Sequence, residues 1–166
     1  LYVSPEVRTT LAPALTGWQA HAHPFAFEQD MDYAGGIERW LTGTPAIPAL
    51  FAAVAGPRIV LDAGIDAIRA KSVRQTEWLI AAADARGYRV HAPRESGQRG
   101  GTVAFDVPHG REVAQFLLSR DIIVDYRVGA GIRVGPHFYT RDEELDTCIG
   151  AIDECLANGD WRRFSE

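Results

Sequence analysis

The order of secondary structure is decided by residues 102–134, which read TVAFDVPHGREVAQFLLSRDIIVDYRVGAGIRV. Residues 102–107 alternate between the two faces of a strand, and residues 109–119 carry apolar side chains at helical spacing. Short apolar runs follow at 122–126 and 132–134, joined by a turn that contains glycine. Because a period of two indicates a strand and a period near 3.6 indicates an amphipathic helix, this stretch predicts strand, helix, strand, strand.

Both flanks of this stretch extend the pattern. Residues 66–86 predict a helix that Gly87 caps at its C-terminus, and residues 88–92 predict a short strand. Thr140 and Glu143 have the spacing of a capping box, which predicts the start of a last helix. The resulting order is helix, strand, strand, helix, strand, strand, helix. This order predicts a small α+β sandwich, with an antiparallel or mixed sheet and the helices on one face.

The N-terminal part of the chain is different in kind. Residues 1–45 hold many aromatic and apolar side chains without a sustained period, apart from a short helical pattern at 5–15. We expect such a segment to pack against a missing N-terminal part of the protein or a partner subunit. Residues 46–64 predict a connecting helix that Gly56-Pro57 kinks or breaks. The predicted organisation is therefore 1–45, 46–64 and a C-terminal domain at 65–166.

Composition excludes several classes of function. A net charge of −5 argues against sequence-independent binding of nucleic acid or of an acidic membrane, and no stretch is apolar enough to span a bilayer. The two cysteines, Cys148 and Cys155, lie on one face of a predicted helix, where we expect two small buried hydrophobes without a disulfide. No secretory features are present, so a cytoplasmic location is the default expectation.

Several motifs occur in a fixed order along the chain. Gly-Trp-Gln-Ala-His stands at 17–21, Gly-Thr-Pro at 43–45, Arg-Ala-Lys-Ser at 69–72, and Gly-Ile-Arg-Val-Gly-Pro-His-Phe-Tyr-Thr at 131–140. Together these segments resemble kynureninase, and more broadly the class V aminotransferase group of fold-type I pyridoxal phosphate (PLP) enzymes. The resemblance covers nearly the whole chain, and it is the combination of motifs that makes it specific.

The resemblance implies a fold, a cofactor and a reaction. The chain resembles the tail of the PLP-binding large domain followed by the C-terminal small domain, with the Schiff-base lysine upstream of Leu1. The implied parent enzyme is a homodimer that hydrolyses a small amino-acid substrate, L-kynurenine, to anthranilate and L-alanine. From the net charge and the lack of an apolar span we expect no nucleic-acid or membrane partner. A chain that lacks the cofactor lysine is expected to be inactive by itself.

Four residues match the family's binding positions. The resemblance implies that Trp18 and Thr44 bind the PLP phosphate of the neighbouring subunit, that Arg133 binds the substrate α-carboxylate, and that His21 lines the active site. The chemistry of the residues is suited to this: an indole N–H and a hydroxyl can donate to phosphate oxygens, and a guanidinium matches a carboxylate bidentately. The resemblance places no catalytic group and no metal ligand in this chain.

Each assignment has an alternative. Trp18 can be an aromatic at a packing interface, Thr44 a helix N-cap, and Arg133 half of a structural ion pair with an acid such as Asp125. His21 with His23 has the spacing of a metal pair but lacks further ligands, so we assign no metal. His23 also departs from the acid that is commoner at that place in the family, and we assign it no role.

Two further features are interpreted structurally. Lys71, the single lysine, is predicted on a solvated helix face without a catalytic role, and the glycine-rich segment 97–101 is predicted as a hairpin tip. The residues Pro-His-Phe-Tyr at 136–139 are closer to the general class V pattern than to the commonest kynureninase form. Cysteine desulfurase, epimerase or aminotransferase activity therefore stays open, as does a non-catalytic module that binds a metabolite or partner.

Overall fold

The computed structural model describes residues 1–165, which form two compact units. The first unit comprises Leu1–Arg58, and the second runs from Ile59 onward. The division falls inside the segment 46–64 that the sequence predicts as a connecting helix.

The first unit contains short helical segments joined by irregular chain. They are the helices α1 (Pro5–Arg8) and α2 (Ile47–Ala52), two 3-10 turns (Trp18–Ala20 and Ile37–Trp40), and the start of α3 (Ala55–Ala63), which continues into the second unit.

The predicted connecting helix is interrupted earlier than expected. The sequence places its kink at Gly56-Pro57, whereas the chain leaves helical conformation at Ala53 and Val54, between α2 and α3. The reason is steric, because a proline ring clashes with the carbonyl four residues before it, and for Pro57 that carbonyl belongs to Ala53.

The second unit consists of three further helices around a small sheet. Its elements are α4 (Ile65–Ala85), β1 (Val103–Phe105), α5 (Gly110–Ser119), β2 (Asp125–Arg127), β3 (Gly131–Val134) and α6 (Asp142–Asn158), with 3-10 turns at Ser96–Gln98 and Asp160–Phe164. Within residues 1–165 no single helix is long and apolar enough to cross a membrane, and only a bent pair, 47–63 with 65–85, passes on length and composition together.

The sheet is antiparallel and has the strand order β1-β3-β2, so the α+β prediction is confirmed. The predicted strand at 88–92 is reduced to an isolated bridge between Val90 and Phe105. His91 N–H donates to the carbonyl of Ala104 at 2.9 Å, but the chain reaches Pro93, which has no N–H to continue the ladder.

The core lies between one face of the sheet and the helices. Val103 and Phe105 of β1 pair with Val134 and Ile132 of β3, and all four side chains are buried. The helices contribute the remaining large members of this cluster, which include Leu79, Val113, Phe116, Leu117, Leu145, Ile149 and Ile152. Cys148 and Cys155 are buried free thiols in the same cluster, as the sequence predicts.

Two adjacent leucines of α5 provide a matched test of this core. Leu117 is fully buried, whereas Leu118 is 58% exposed. Leu117→Ala is expected to lower the free energy of unfolding by about 2–5 kcal/mol, because it removes buried methyl groups and leaves a cavity. Leu118→Ala is expected to cost about 0.5 kcal/mol or less. Urea unfolding of both variants measures the difference, and equal losses would contradict the described packing.

Candidate functional site

The first unit brings the Gly17-Trp18 segment and the Gly43-Thr44 segment side by side. Gln19 N–H donates to the carbonyl of Thr42 at 3.5 Å. A Cβ atom at Gly17 would lie 1.8 Å from the same carbonyl oxygen, so only glycine permits this approach of the two backbones. The two motifs that the sequence assigns to one phosphate site are therefore neighbours within this unit.

Trp18 presents a hydrogen-bond donor at this place. Its indole nitrogen lies 3.9 Å from the position that a Cβ atom of Gly43 would occupy, and its ring packs edge-to-face against Phe25 with 5.4 Å between centroids. Trp18 is 39% exposed, and none of residues 1–165 accepts a hydrogen bond from its N–H. Trp40 differs, since its indole N–H donates to the carbonyl of Arg8 at 3.1 Å. The donor of Trp18 thus remains available to an anion.

Thr44 lies in an exposed bend, and it is not a helix N-cap. Helix α2 begins at Ile47 with Ala46 as its N-cap, two residues later than the capping alternative requires. The reason is local, because Pro45 restricts the residue before it to extended backbone and so delays the helix. The Thr44 hydroxyl consequently stands outside the helix, one residue after Gly43, the residue that lies near the Trp18 indole nitrogen.

His21 is a buried histidine whose two ring nitrogens are both occupied. Nδ1 accepts a hydrogen bond from the backbone N–H of His23 at 2.8 Å, so Nε2 carries the proton and faces the carbonyl of Asp30 at 3.1 Å. Glu28 Oε2 lies 3.5 Å from the same Nε2. These bonds hold the loop 21–30 together, while the substrate contact of His21 stays a prediction. Residues 1–165 place no group of three metal-ligating side chains together.

The second unit presents Arg133 on the face of the sheet that points away from the core. Side chains alternate along a strand, so Ile132 and Val134 enter the core and Arg133 projects from the opposite face. Ala104 of β1 and Asp125 of β2 are its direct cross-strand neighbours in the antiparallel register. The three residues form a row across the sheet, with a small side chain on one side of Arg133 and a carboxylate on the other.

Arg133 forms an ion pair with Asp125, which is the alternative that the sequence left open. Nη2 of Arg133 donates to Oδ2 of Asp125, and Arg127 Nη2 lies 3.2 Å from the same oxygen. The hydrogen bond from Arg133, supported by the positive charges of Arg127 and Arg133, lowers the pKa of Asp125 below its ordinary value. The pair keeps Asp125 ionised and fixes one nitrogen of the guanidinium.

The ion pair does not use all the donors of Arg133. A guanidinium carries five N–H groups, and Asp125 engages Nη2 alone. Nε of Arg133 is buried without a hydrogen-bond partner among residues 1–165, while 41% of the whole side chain is exposed. Within residues 1–165, Nη1 is neither bonded nor among the buried atoms, so the group retains one donor for a further carboxylate, which is the chemistry that the resemblance implies for it.

Helix α4 fixes the segment that follows β3. Nζ of Lys71 donates to the carbonyl of Phe138 at 2.8 Å, and Nε2 of Gln75 donates to the carbonyl of Thr140 at 2.9 Å and to Oδ1 of Asp142 at 2.9 Å. Arg74 completes the contact with a bond of 2.6 Å to Asp142. The prediction of a solvated Lys71 is wrong for this reason: its ammonium group is bonded to a carbonyl far along the chain.

Arg99 is a buried cation that the sequence analysis missed. Its Nε donates to the hydroxyl of Thr76 at 3.1 Å, and its Nη1 donates to the carbonyls of Pro93 and Arg94 at 3.0 and 2.8 Å. Segment 97–101 lies, as the hairpin prediction requires, in the connection between two antiparallel segments that meet at Val90 and Phe105, and Arg99 anchors it to α4 through an inward-pointing side chain. A single arginine between glycines gives little sequence signal, since its acceptors are mostly backbone carbonyls.

Neither cysteine is suited to nucleophilic chemistry. Burial raises the pKa of Cys148 to about 11, and burial is also the main cause that raises the pKa of Cys155. The thiolate is the nucleophilic form of cysteine, and it is scarce for both groups at neutral pH. Both thiols act as core hydrophobes.

The contact between α4 and Asp142 has a consequence for the pH dependence of stability. Hydrogen bonds from Arg74 and Gln75 lower the pKa of Asp142 in the folded chain below its ordinary value. The stabilisation is therefore present above the unfolded pKa, about 4, and is lost as the pH falls through the lower folded value. We expect Asp142→Asn to lower the free energy of unfolding at pH 7 and to lose this effect near pH 2.

Urea unfolding at pH 7, 5 and 2 measures this difference. The matched control is Asp146→Asn, an exposed carboxylate on the same helix that forms no ion pair within residues 1–165. A deficit of Asp142→Asn that persists unchanged at pH 2, or an equal deficit in the control, would contradict the assignment.

Comparison with solved structures identifies the fold. The chain is similar to an apo cysteine desulfurase from Thermococcus onnurineus NA1, with a TM-score of 0.76 and 23% identity over 95% of this chain and 42% of that chain. It is also similar to the cystine C–S lyase C-DES in complex with cysteine persulfide, with a TM-score of 0.71 and 22% identity over 91% and 40% of the two chains. The fold is that of the C-terminal part of fold-type I PLP enzymes.

Comparison of sequences identifies the family. The model of the kynureninase C-terminal domain matches residues 68–152. A kynureninase from Burkholderia mallei is 32% identical over 89% of this chain and 37% of its own length, and one from Pseudomonas fluorescens is 30% identical over 97% and 40%. The chain belongs to the kynureninase family and spans about two fifths of the length of these relatives.

Proposed function

We propose that this chain is the C-terminal part of a PLP-dependent hydrolase that cleaves L-kynurenine to anthranilate and L-alanine. The observation that carries the proposal is the position of Arg133. It lies inside the residues that match the kynureninase C-terminal domain, on the central strand of the sheet, with a side chain that is 41% exposed and a bond to Asp125 through Nη2 alone. Such a guanidinium is suited to the α-carboxylate of an amino acid.

The donors of the first unit fit the phosphate of the cofactor. The free indole N–H of Trp18 and the exposed hydroxyl of Thr44 lie on adjacent segments, and both can donate to an anionic oxygen without a lysine. In the proposed homodimer these donors bind the phosphate of the neighbouring subunit. The bound cofactor supplies the electron sink for the carbanion at the substrate Cα.

The remaining residues have supporting roles in this proposal. Lys71 is bonded to the carbonyl of Phe138, so we assign it no covalent link to the cofactor, and the chain by itself is expected to be inactive. His21 keeps the loop beside Trp18 in place. Arg133 binds and orients the substrate, while the groups that move protons belong to the rest of the proposed enzyme.

The role of Arg133 is tested in the full-length enzyme by anthranilate release. Arg133→Lys is expected to raise KM for L-kynurenine about tenfold or more, because one charged hydrogen bond contributes about 1.5–3 kcal/mol and lysine lacks the planar fork. Arg127→Lys is the matched control, since Arg127 also contacts Asp125 but is not assigned to the carboxylate. Equal effects of the two variants, or no effect of Arg133→Lys, would contradict the assignment.

The phosphate site is tested by cofactor binding. Trp18→Phe keeps an aromatic ring against Phe25 but removes the N–H, and Thr44→Val keeps the branched shape but removes the hydroxyl. Each variant is expected to weaken PLP binding about tenfold, measured by absorbance titration of the apoenzyme. Binding of pyridoxal, which lacks the phosphate, is expected to be unchanged. Equal losses for both ligands would indicate a packing role instead.

A second candidate is a cysteine desulfurase type of activity, which the structural neighbours favour. Against it, neither Cys148 nor Cys155 offers an accessible thiolate to accept sulfur. Assay of the full-length protein with both substrates separates the two: anthranilate from kynurenine supports the first proposal, and alanine with sulfide from cysteine supports the second. A protein without turnover and without a PLP absorbance band would instead be a non-catalytic binding module.

A further inference from the structure

Asp125 is the acidic group that the sheet register sets beside Arg133. The two residues are direct cross-strand partners on β2 and β3, and Oδ2 of Asp125 accepts a hydrogen bond from Nη2 of Arg133. Arg127, on the same strand and two residues on, lies 3.2 Å from that oxygen. The carboxylate is thus held from two sides, and its own position is fixed by the strand backbone.

A long arginine side chain on an open sheet face has many accessible rotamers. Binding a ligand with such a group costs side-chain entropy unless another contact already restricts it. The bond to Asp125 restricts the guanidinium through Nη2 and leaves Nη1 without a partner within residues 1–165, while Nε is buried. Ala104, the cross-strand neighbour on the other side, has only a methyl side chain and no polar group to bond the guanidinium.

The ion pair has little importance as a stabilising contact. Asp125 and Arg133 have side-chain exposures of 35% and 41%, and ion pairs in such positions contribute little to the free energy of unfolding. Its effect on folding can therefore be separated from its effect on binding by measurement.

We propose that Asp125 is a positioning residue, which holds one side of the Arg133 guanidinium so that the other side meets the α-carboxylate of the amino-acid substrate. This inference rests on the proposed function, because it takes Arg133 as the group that binds that carboxylate. The two ways in which Asp125 could affect substrate binding predict opposite effects of its removal. Removing a negative charge near an anion site favours an anionic ligand, whereas releasing the guanidinium disfavours it.

The test compares two ligands that differ only in the carboxylate. The dissociation constants of L-kynurenine and of its decarboxylated amine are measured by calorimetry on the full-length holoenzyme under conditions too cold for turnover, and KM and kcat are measured by anthranilate release. Asp125→Asn is expected to weaken kynurenine binding and to raise KM about tenfold, with kcat changed less than about threefold. Binding of the decarboxylated amine is expected to stay unchanged. Asp125→Glu is expected to recover part of the loss.

A double-mutant cycle tests whether Asp125→Asn weakens binding through Arg133 or through a general change of structure. In an Arg133→Ala background, Asp125→Asn is expected to change kynurenine binding less than about twofold, because the residue acts only through Arg133. The urea midpoint of Asp125→Asn and its cofactor absorbance are expected to match those of the wild type. A further loss in the Arg133→Ala background as large as in the wild type would overturn the inference.

The remaining outcomes separate the inference from the proposed function. If Asp125→Asn binds kynurenine as well as the wild type, or more tightly, the positioning role is wrong while the proposed function stands. If the wild type binds kynurenine no better than the decarboxylated amine, and Arg133→Lys changes neither dissociation constant, then both the proposed role of Arg133 and this inference are wrong.

Discussion

The antiparallel pairing of β3 with strands on both of its sides is the constraint on which the second unit depends. The register joins Val103 to Val134 and Phe105 to Ile132, which places these side chains in the core. A shift of one residue would exchange the two faces, burying Arg133 and exposing Ile132 and Val134. The same pairing that buries the apolar residues therefore determines where the guanidinium projects.

Gly131 shows how tightly this pairing is set. It has a φ of +75°, and a Cβ atom there would lie 2.2 Å from the carbonyl oxygen of Phe105. Only glycine permits both the left-handed backbone and the close approach of β1. At the other end of β3, α4 fixes the segment 138–142 through Lys71 and Gln75. Arg133 thus stands between two anchored ends of a short strand.

The sequence predicted the parts of the fold that depend on local pattern. Gly87 ends α4 with the expected left-handed cap, since the N–H of Tyr88 returns to the carbonyl of Ala83 at 3.0 Å. The last capping interaction is one residue later than predicted: the carboxylate of Glu144 accepts from Arg141 N–H at 2.7 Å. The hydroxyl of Thr140 is engaged elsewhere, where it accepts from His137 N–H at 3.0 Å.

The sequence could not predict contacts that join distant segments. Gln75 and Arg99 are buried, although residues of these types are ordinarily exposed. Their partners are backbone carbonyls, the hydroxyl of Thr76 and the carboxylate of Asp142, which only the folded chain brings near, so no periodicity marks them. From the sequence, the ion pair between Arg133 and Asp125 is only one of two possible roles for Arg133. The pairing depends on the register of two short strands, which the sequence does not determine.

Unused hydrogen-bonding capacity distinguishes the candidate binding residues from the structural ones. Trp40 and His21 are polar groups in or near the family's motifs, and each has its ring N–H bonded to a backbone carbonyl. Trp18 and Arg133 are different, because each keeps N–H groups without a partner in residues 1–165 and remains partly exposed. Because both side chains are partly exposed, water satisfies such donors in the free chain and a bound anion can replace that water. In the proposed function the phosphate of PLP would accept from Trp18 and the α-carboxylate of an amino acid would accept from Arg133, so each donor would have an anion of its own.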